Sequence, residues 1–447
     1  MKTLIVGANH GGIAVAKALL NHGLKDLTMI DGNTNLSYLG CGTALWVGRQ
    51  IDSVDGLFYT KADDFRAMGA TVHMESLVTK IDFDKKIAYY TKEGKECTQS
   101  YDTLVLATGS IPIMPKVPGT DLGNIHFLKR FQDGQQVDSL VSSDTIKKVA
   151  VVGGGYIGVE IAEACKRRGK EVMLFDPADN VLSNYYDKEF STEMDKVLRK
   201  NGVDLHTQEL VEEYIGNSNK LVSKVRTNKG TYDVDLVINA IGFRPNNELG
   251  KDALKLFVNG AYLVDKNQRT SLKDVYAVGD CATVYSNALL NTTYIALATN
   301  AVRTGLVAAN NILGKDLEGN GVQGSNAISI FGYNMMSTGL SVAAANKFGI
   351  VDTCYVEHED LQKPAFITHN NHNVKIRIVY ERVTRRIIGA QIASYEDVSS
   401  VIHMFSLAIQ EKVTIDKLAL TDIFFLPHFN QPYNYITVCA LKSQEQA

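Results

Sequence analysis

No apolar run in this sequence reaches the roughly 18 uninterrupted residues that a membrane-spanning helix requires. The opening, MKTLIVGANHGGIAVAKALL, starts like a secretion signal, but three glycines, Asn9 and His10 interrupt it, and its apolar period changes from strand to helix. It reads as the first strand of a fold, and a soluble, cytoplasmic protein with no membrane partner is expected. Charge of one sign is missing too: 46 basic and 49 acidic side chains are interspersed, so no basic stripe offers itself to nucleic acid. The six cysteines have neither the spacing of a disulfide framework nor that of a zinc site, which fits a reducing compartment and predicts no metal. Proline is scarce, eight residues against 36 glycines, and with many Val/Ile/Ala runs this favours α/β architecture over disorder or a helical bundle.

The most informative absence is local. Cys41, in SYLGCGTALWVG, is followed by Gly42, Thr43, Ala44, Leu45 and Trp46, and the next cysteine is Cys97. Without a second thiol one helical turn away, Cys41 can cycle only through a one-sulfur oxidised state, either a sulfenic acid or a mixed disulfide with a small thiol. The alternative is a small buried hydrophobe, the reading given to Cys97, Cys165, Cys281, Cys354 and Cys439.

What is present begins with an internal repeat in a chain of 447 residues, long enough for two to four domains. LIVGANHGGIAVAKALLNHGLKDLTMID, from Leu4, parallels VVGGGYIGVEIAEACKRRGKEVMLFD, from Val151. Each is an apolar strand, a glycine-rich turn, an amphipathic helix closed by Gly23 or Gly169, and a second strand ending in Asp31 or Asp176. The second copy completes GxGxxG with Gly153, Gly155 and Gly158; in the first, Asn9 replaces the middle glycine, leaving Gly7, Gly11 and Gly12. Such turns let the backbone pass close to a pyrophosphate at a helix N-terminus, while the aspartate receives ribose hydroxyls. Two copies predict two dinucleotide sites. At Asp176 a carboxylate repels a 2′-phosphate, and Pro177, Ala178, Asp179 and Asn180 supply no cation, so NADH is expected over NADPH.

Three shorter signals follow. YDTLVLATGSIPIMP runs into Thr108, Gly109 and Ser110; DLVINAIGFRPN ends in Gly242, Phe243, Arg244 and Pro245; DVYAVGDCA puts Asp280 at a strand end, beside LATNAVRTG. Singly, each is a strand-to-turn junction. Further on, KIRIVYERVTRRIIGAQIAS and VSSVIHMFSLAIQEK read as strands followed by an amphipathic helix.

In this order the segments resemble the pyridine nucleotide disulfide reductases, two-dinucleotide flavoproteins, and Cys41 with the His10 of ANHGG is similar to the peroxide- and oxygen-reducing branch of that family. The likeness spans the whole chain, including the tail LALTDIFFLPHFNQPYNYITVCAL. It implies an α/β fold with two Rossmann-like domains, for FAD and NAD, and an α+β C-terminal dimerisation domain. Residues 1–115 and 245–320 would form the FAD domain, 116–244 the NAD domain and 321–447 the interface of a homodimer. The resemblance gives FAD to Gly7, Asn9, His10, Gly11, Gly12, Asp31, Cys41, Val78, Thr108, Gly109, Ser110, Lys129, Asp280, Leu297 and Ala298. NADH would lie on Gly153, Gly155, Tyr156, Ile157, Gly158, Asp176, Tyr185 and Gly242, with Tyr156 covering the flavin until nicotinamide displaces it.

The implied activity is four-electron reduction of dioxygen to water by NADH through a Cys41 thiolate and sulfenic acid. A helix start beside flavin would lower the Cys41 pKa, and His10 would hydrogen-bond the sulfur and handle protons. A histidine that caps a backbone group is the alternative for His10, and His428 is read as structural. Hydrogen peroxide or coenzyme A disulfide as main oxidant, and a non-enzymatic NADH-responsive redox sensor, are the competing readings.

Overall fold

The computed structural model describes residues 1–445. Both copies of the repeat build the centre of a five-stranded parallel sheet. In the first sheet the spatial order is Val275–Ala277, Thr103–Leu106, Thr3–Val6, Leu27–Ile30, Thr71–His73. The second runs Val203–Thr207, Glu171–Asp176, Lys148–Val152, Leu236–Asn239, Ile125–Phe127. The central strands are continuous apolar runs because helices and loops cover both faces, and Thr3–Val6, Leu27–Ile30 and Thr103–Leu106 are buried at every position.

From each first strand the chain turns at a glycine into a helix, His10–Asn21 or Tyr156–Arg167. Gly23 and Gly169 end these helices in the left-handed region, at φ +84° and +73°. The following amides, Leu24 and Lys170, donate back to Leu19 and Cys165 at 3.1 Å each, so the helix stops foreseen from glycine alone are made by the expected backbone bonds.

The two sheets communicate through one ribbon. Ser110–Pro112 carries the chain out of the first unit, Phe243–Pro245 brings it back, and the two pair antiparallel. Arg49 binds Asp138 through both guanidinium nitrogens, at 2.7 and 3.0 Å, and Arg168 reaches the same carboxylate at 3.2 Å, which ties the Cys41 segment to the second unit.

The C-terminal region is a five-stranded antiparallel sheet, ordered Asn326–Ile330, Tyr333–Gly339, Ile387–Ser394, Asn373–Glu381, Thr353–Leu361. The helix Val401–Gln410 packs its Ile402, Phe405 and Ile409 into the same core as this sheet, the strand-then-helix order expected there. Among the described residues no helix is long and apolar enough to cross a membrane.

Candidate active site

The glycine turns are shaped by contact with neighbouring strands. At Gly7 (φ +103°) a Cβ would stand 2.1 Å from the Ala107 carbonyl oxygen, and at Gly153 (φ +108°) 2.5 Å from that of Ala240. Gly12 and Gly158 leave no room either: a Cβ would lie 1.9 and 1.8 Å from the carbonyls of Gly7 and Gly153. Gly155 is different. A Cβ there would meet nothing within 4 Å, so its face is open, as passage of a pyrophosphate requires. Neither helix has a side-chain cap at Asn9 or Gly155, or an acidic residue in its first turn, which leaves both positive ends free for an anion. Asn9 turns its amide to the Tyr38 carbonyl at 3.2 Å. These features fit two dinucleotides.

Asp31 and Asp176 each accept two backbone amides. Asp31 accepts the Ala8 amide at 2.6 Å and that of Asn33 at 2.7 Å; Asp176 repeats the pattern with Gly154 at 2.6 Å and Ala178 at 2.7 Å. Each carboxylate therefore braces its glycine turn and keeps its remaining lone pairs for a ligand. Burial pushes the Asp31 pKa up, and the two amide bonds oppose this. Tyr185 and Gly242 (φ +111°) also lie at the second site, Gly242 just beyond the carbonyl against which Gly153 rests. Ile157 packs on the core beneath, and Val78 buries its side chain with Leu4, Val6 and Ile30, so only its main chain remains for an adenine.

Cys41 lies in the short turn Gly40–Gly42 before the helix Thr43–Val47, and it is exposed and unbridged. Gly42 fits against Leu57, whose Cδ2 would be 2.3 Å from a Cβ, while the Thr43 hydroxyl donates to the Gly40 carbonyl at 2.7 Å. The protein groups around Cys41 by themselves raise its pKa, whereas the expected lowering rests on a helix start next to flavin. Although part of the residue is exposed, desolvation of the thiol by the groups packed around it is the main cause and the Glu160 carboxylate adds to it; Lys129 opposes.

His10 also differs from expectation. It hydrogen-bonds no sulfur; its Nδ1 meets the Tyr59 hydroxyl at 3.0 Å and its ring stacks on Tyr59, centroids 5.8 Å apart. Burial lowers its pKa, the Asp280 charge raises it and Lys129 lowers it, so the neutral imidazole is favoured. Tyr59 carries no motif and was not visible in sequence.

Lys129 joins the group that the spacing signals announced separately. Its Nζ donates to the Ser110 hydroxyl at 2.8 Å and to Asp280 at 3.3 Å, Ser110 donates to Asp280 at 2.8 Å, and the ammonium sits 4.5 Å above the Phe243 ring. Gly109 (φ +70°) accepts the Asn246 amide, and Thr108 donates to the Asn246 carbonyl at 2.6 Å. Leu297 caps the helix Ala298–Ile312 without a side-chain bond or first-turn acid.

From the second unit comes Glu160, which sequence reading missed although it is one turn after Tyr156 in GGGYIGVE. Burial, with the Glu163 charge, raises its pKa to about 7, and its charge bears on both Cys41 and Tyr156. The Tyr156 ring packs edge-on against Tyr185 at 4.5 Å, and its hydroxyl is held by Tyr186 and Asn326.

Comparison with known proteins agrees with this geometry. Residues 1–305 match the pyridine nucleotide-disulphide oxidoreductase family, and residues 327–434 match the dimerisation domain of the same family. An NADH oxidase of Lactococcus lactis subsp. cremoris is 58% identical over 447 residues, spanning 99% of this chain and 100% of that protein. One from Streptococcus pyogenes is 51% identical over 99% of this chain and 100% of its own length. Among solved structures, the water-forming NADH oxidase from Lactobacillus brevis bound to NADH superposes with a TM-score of 0.96 at 34% identity, covering 100% of this chain and 98% of that one. With nearly its whole length matched in sequence and in fold, the chain belongs to the pyridine nucleotide-disulphide oxidoreductase family.

Proposed function

We propose that this protein is an FAD-dependent NADH oxidase that reduces dioxygen to water, with Cys41 as its single redox-active sulfur. The observation that carries the reading is a free, exposed Cys41 in the turn Gly40–Gly42, immediately before the helix Thr43–Val47 and with no second cysteine bridged to it. The Gly7–Gly12 turn and Asp31 would hold FAD, with Ser110, Lys129 and Asp280; the Gly153–Gly158 turn, Asp176 and Tyr185 would hold NADH. Bound there, FAD supplies hydride acceptance from NADH and electron transfer to dioxygen and to sulfur.

The residues of the chain perform the second half of the reduction. The Cys41 thiolate attacks one oxygen of hydrogen peroxide, the O–O bond breaks, the departing hydroxide takes a proton to become water, and Cys41 becomes a sulfenic acid. Two electrons from a second NADH, with two protons, return the thiol and release another water. Lys129 favours the thiolate, and His10 with Tyr59 is the neighbouring pair able to move a proton. Tyr156 covers the nicotinamide position until NADH displaces it. The NADH oxidase names of the relatives support the reaction, and the Lactobacillus brevis structure supports water as product.

The test is simultaneous measurement of oxygen and NADH consumption, with and without catalase. Two NADH per oxygen and no response to catalase are expected; one NADH per oxygen with free peroxide removes the water-forming claim. Cys41→Ser is expected to release peroxide, because only the sulfur-dependent half is lost. Faster turnover with coenzyme A disulfide than with oxygen would reassign the substrate.

A further inference from the structure

We propose that Asn326, in the first strand of the C-terminal sheet, is a positioning residue for NADH: its carboxamide latches the Tyr156 side chain and so sets the ease with which the nicotinamide end enters. The proposal rests on the reading of Tyr156 as the cover of that position. Tyr156 is the first residue of its helix and follows Gly155, the one turn glycine with an open face. Its hydroxyl leaves its own unit, contacts the Tyr186 hydroxyl at 2.8 Å and donates to Asn326 Oδ1.

Two further contacts and one buried neighbour fix the latch. Asn326 Nδ2 donates to the Gly324 carbonyl at 2.7 Å, which sets the orientation of the amide and turns its oxygen to the tyrosines. The Ser337 hydroxyl, on the strand paired with Asn326, donates to that oxygen at 3.1 Å. Tyr186 is 1% exposed and locked in the core of the second unit. Oδ1 carries no proton, so Tyr156 donates to it, and the Tyr186 hydroxyl, 2.8 Å from that of Tyr156, also reaches Oδ1 at 3.4 Å. One end of the latch is rooted in the NADH unit and the other in the C-terminal sheet.

A ring held in this way must give up its hydroxyl bonds before the nicotinamide can take its place. The apparent affinity for NADH is then reduced by the fraction of molecules in the open state. Removing the acceptor raises that fraction by the worth of one hydrogen bond, about two- to tenfold.

The test uses the FAD-loaded protein. The Kd of NAD⁺ is measured by calorimetry, and KM for NADH and for oxygen by steady-state kinetics, in Asn326→Leu, Asn326→Asp, Tyr156→Phe and the Tyr156→Phe/Asn326→Leu double variant. Asn326→Leu and Tyr156→Phe are each expected to lower Kd and KM for NADH about two- to tenfold. KM for oxygen should stay in place, and kcat in Asn326→Leu should move less than KM. The double variant should go no further than either single one, and Asn326→Asp, which keeps the acceptor, should retain wild-type affinity or weaker. Equal affinities in wild type and Asn326→Leu, with Tyr156→Ala still tightening binding, would overturn the latch and leave the cover standing. Unchanged affinity in Tyr156→Ala would overturn both. If Asn326→Leu fails to fold, Tyr156→Phe against Asn326→Asp decides the same question.

Discussion

Glu160 sets the terms for Cys41. Above its pKa of about 7 it is an anion that disfavours a neighbouring thiolate; below, it is neutral and the effect fades. Glu160→Gln is therefore expected to let iodoacetamide alkylate Cys41 at lower pH, with rates converging on wild type in acid. The same shift has a stability sign. A carboxyl whose folded pKa rises from 4.5 to about 7 favours folding below pH 4.5, and that contribution is lost as pH climbs through 7. At 1.36 kcal/mol per unit this is at most about 3 kcal/mol, so Glu160→Gln should raise Tm at pH 8 and leave it nearly unchanged at pH 4. Cys41, Asp31 and Asp176 were legible because each stands at a fixed offset within one continuous segment. Tyr59, Glu160 and Asn326 were not, since each acts on a partner from another part of the chain: His10, Cys41 and Tyr156.

At the scale of elements, the strand–turn–helix units carried most of what the sequence disclosed, because glycine has physical meaning there. Gly7 needs both its left-handed φ and its missing Cβ against the Ala107 main chain. Gly7→Ala is expected to distort the turn, with a loss of roughly 1–3 kcal/mol in stability. The FAD-to-protein ratio after gel filtration should fall well below that of wild type, and full retention would show that the turn does not hold FAD. The carboxylates that brace both turns were harder to foresee, because an aspartate at a strand end announces a ligand and says nothing of the amides beneath it.

For the whole molecule, the segment between Leu420 and Tyr433 leaves Leu420, Phe424, Phe425, Leu426, Phe429 and Tyr433 exposed, Tyr433 by 78%. Apolar side chains in such number mark a surface that another protein covers. They lie at the end of the matched dimerisation domain, and a homodimer is the expected occupant. Replacing Phe424 and Phe429 by aspartate should shift the mass measured by light scattering from dimer toward monomer; an unchanged dimer would place the interface elsewhere. The order of two parallel sheets and a C-terminal antiparallel sheet was readable from the order of motifs, but this exposed apolar segment was not, because exposed aromatics look like core residues until the core is built.

The ribbon of Ser110–Pro112 and Phe243–Pro245 sets Pro112 directly opposite Phe243. The chain therefore enters and leaves the cassette between them through two neighbouring stems, while contacts such as Arg49–Asp138 and Tyr156–Asn326 hold it elsewhere. Joining the stems by a tight hairpin would excise the second parallel sheet without cutting a strand of the first. Exchanging the cassette for one from a relative of different coenzyme preference should transplant that preference and leave the choice of oxidant to the host.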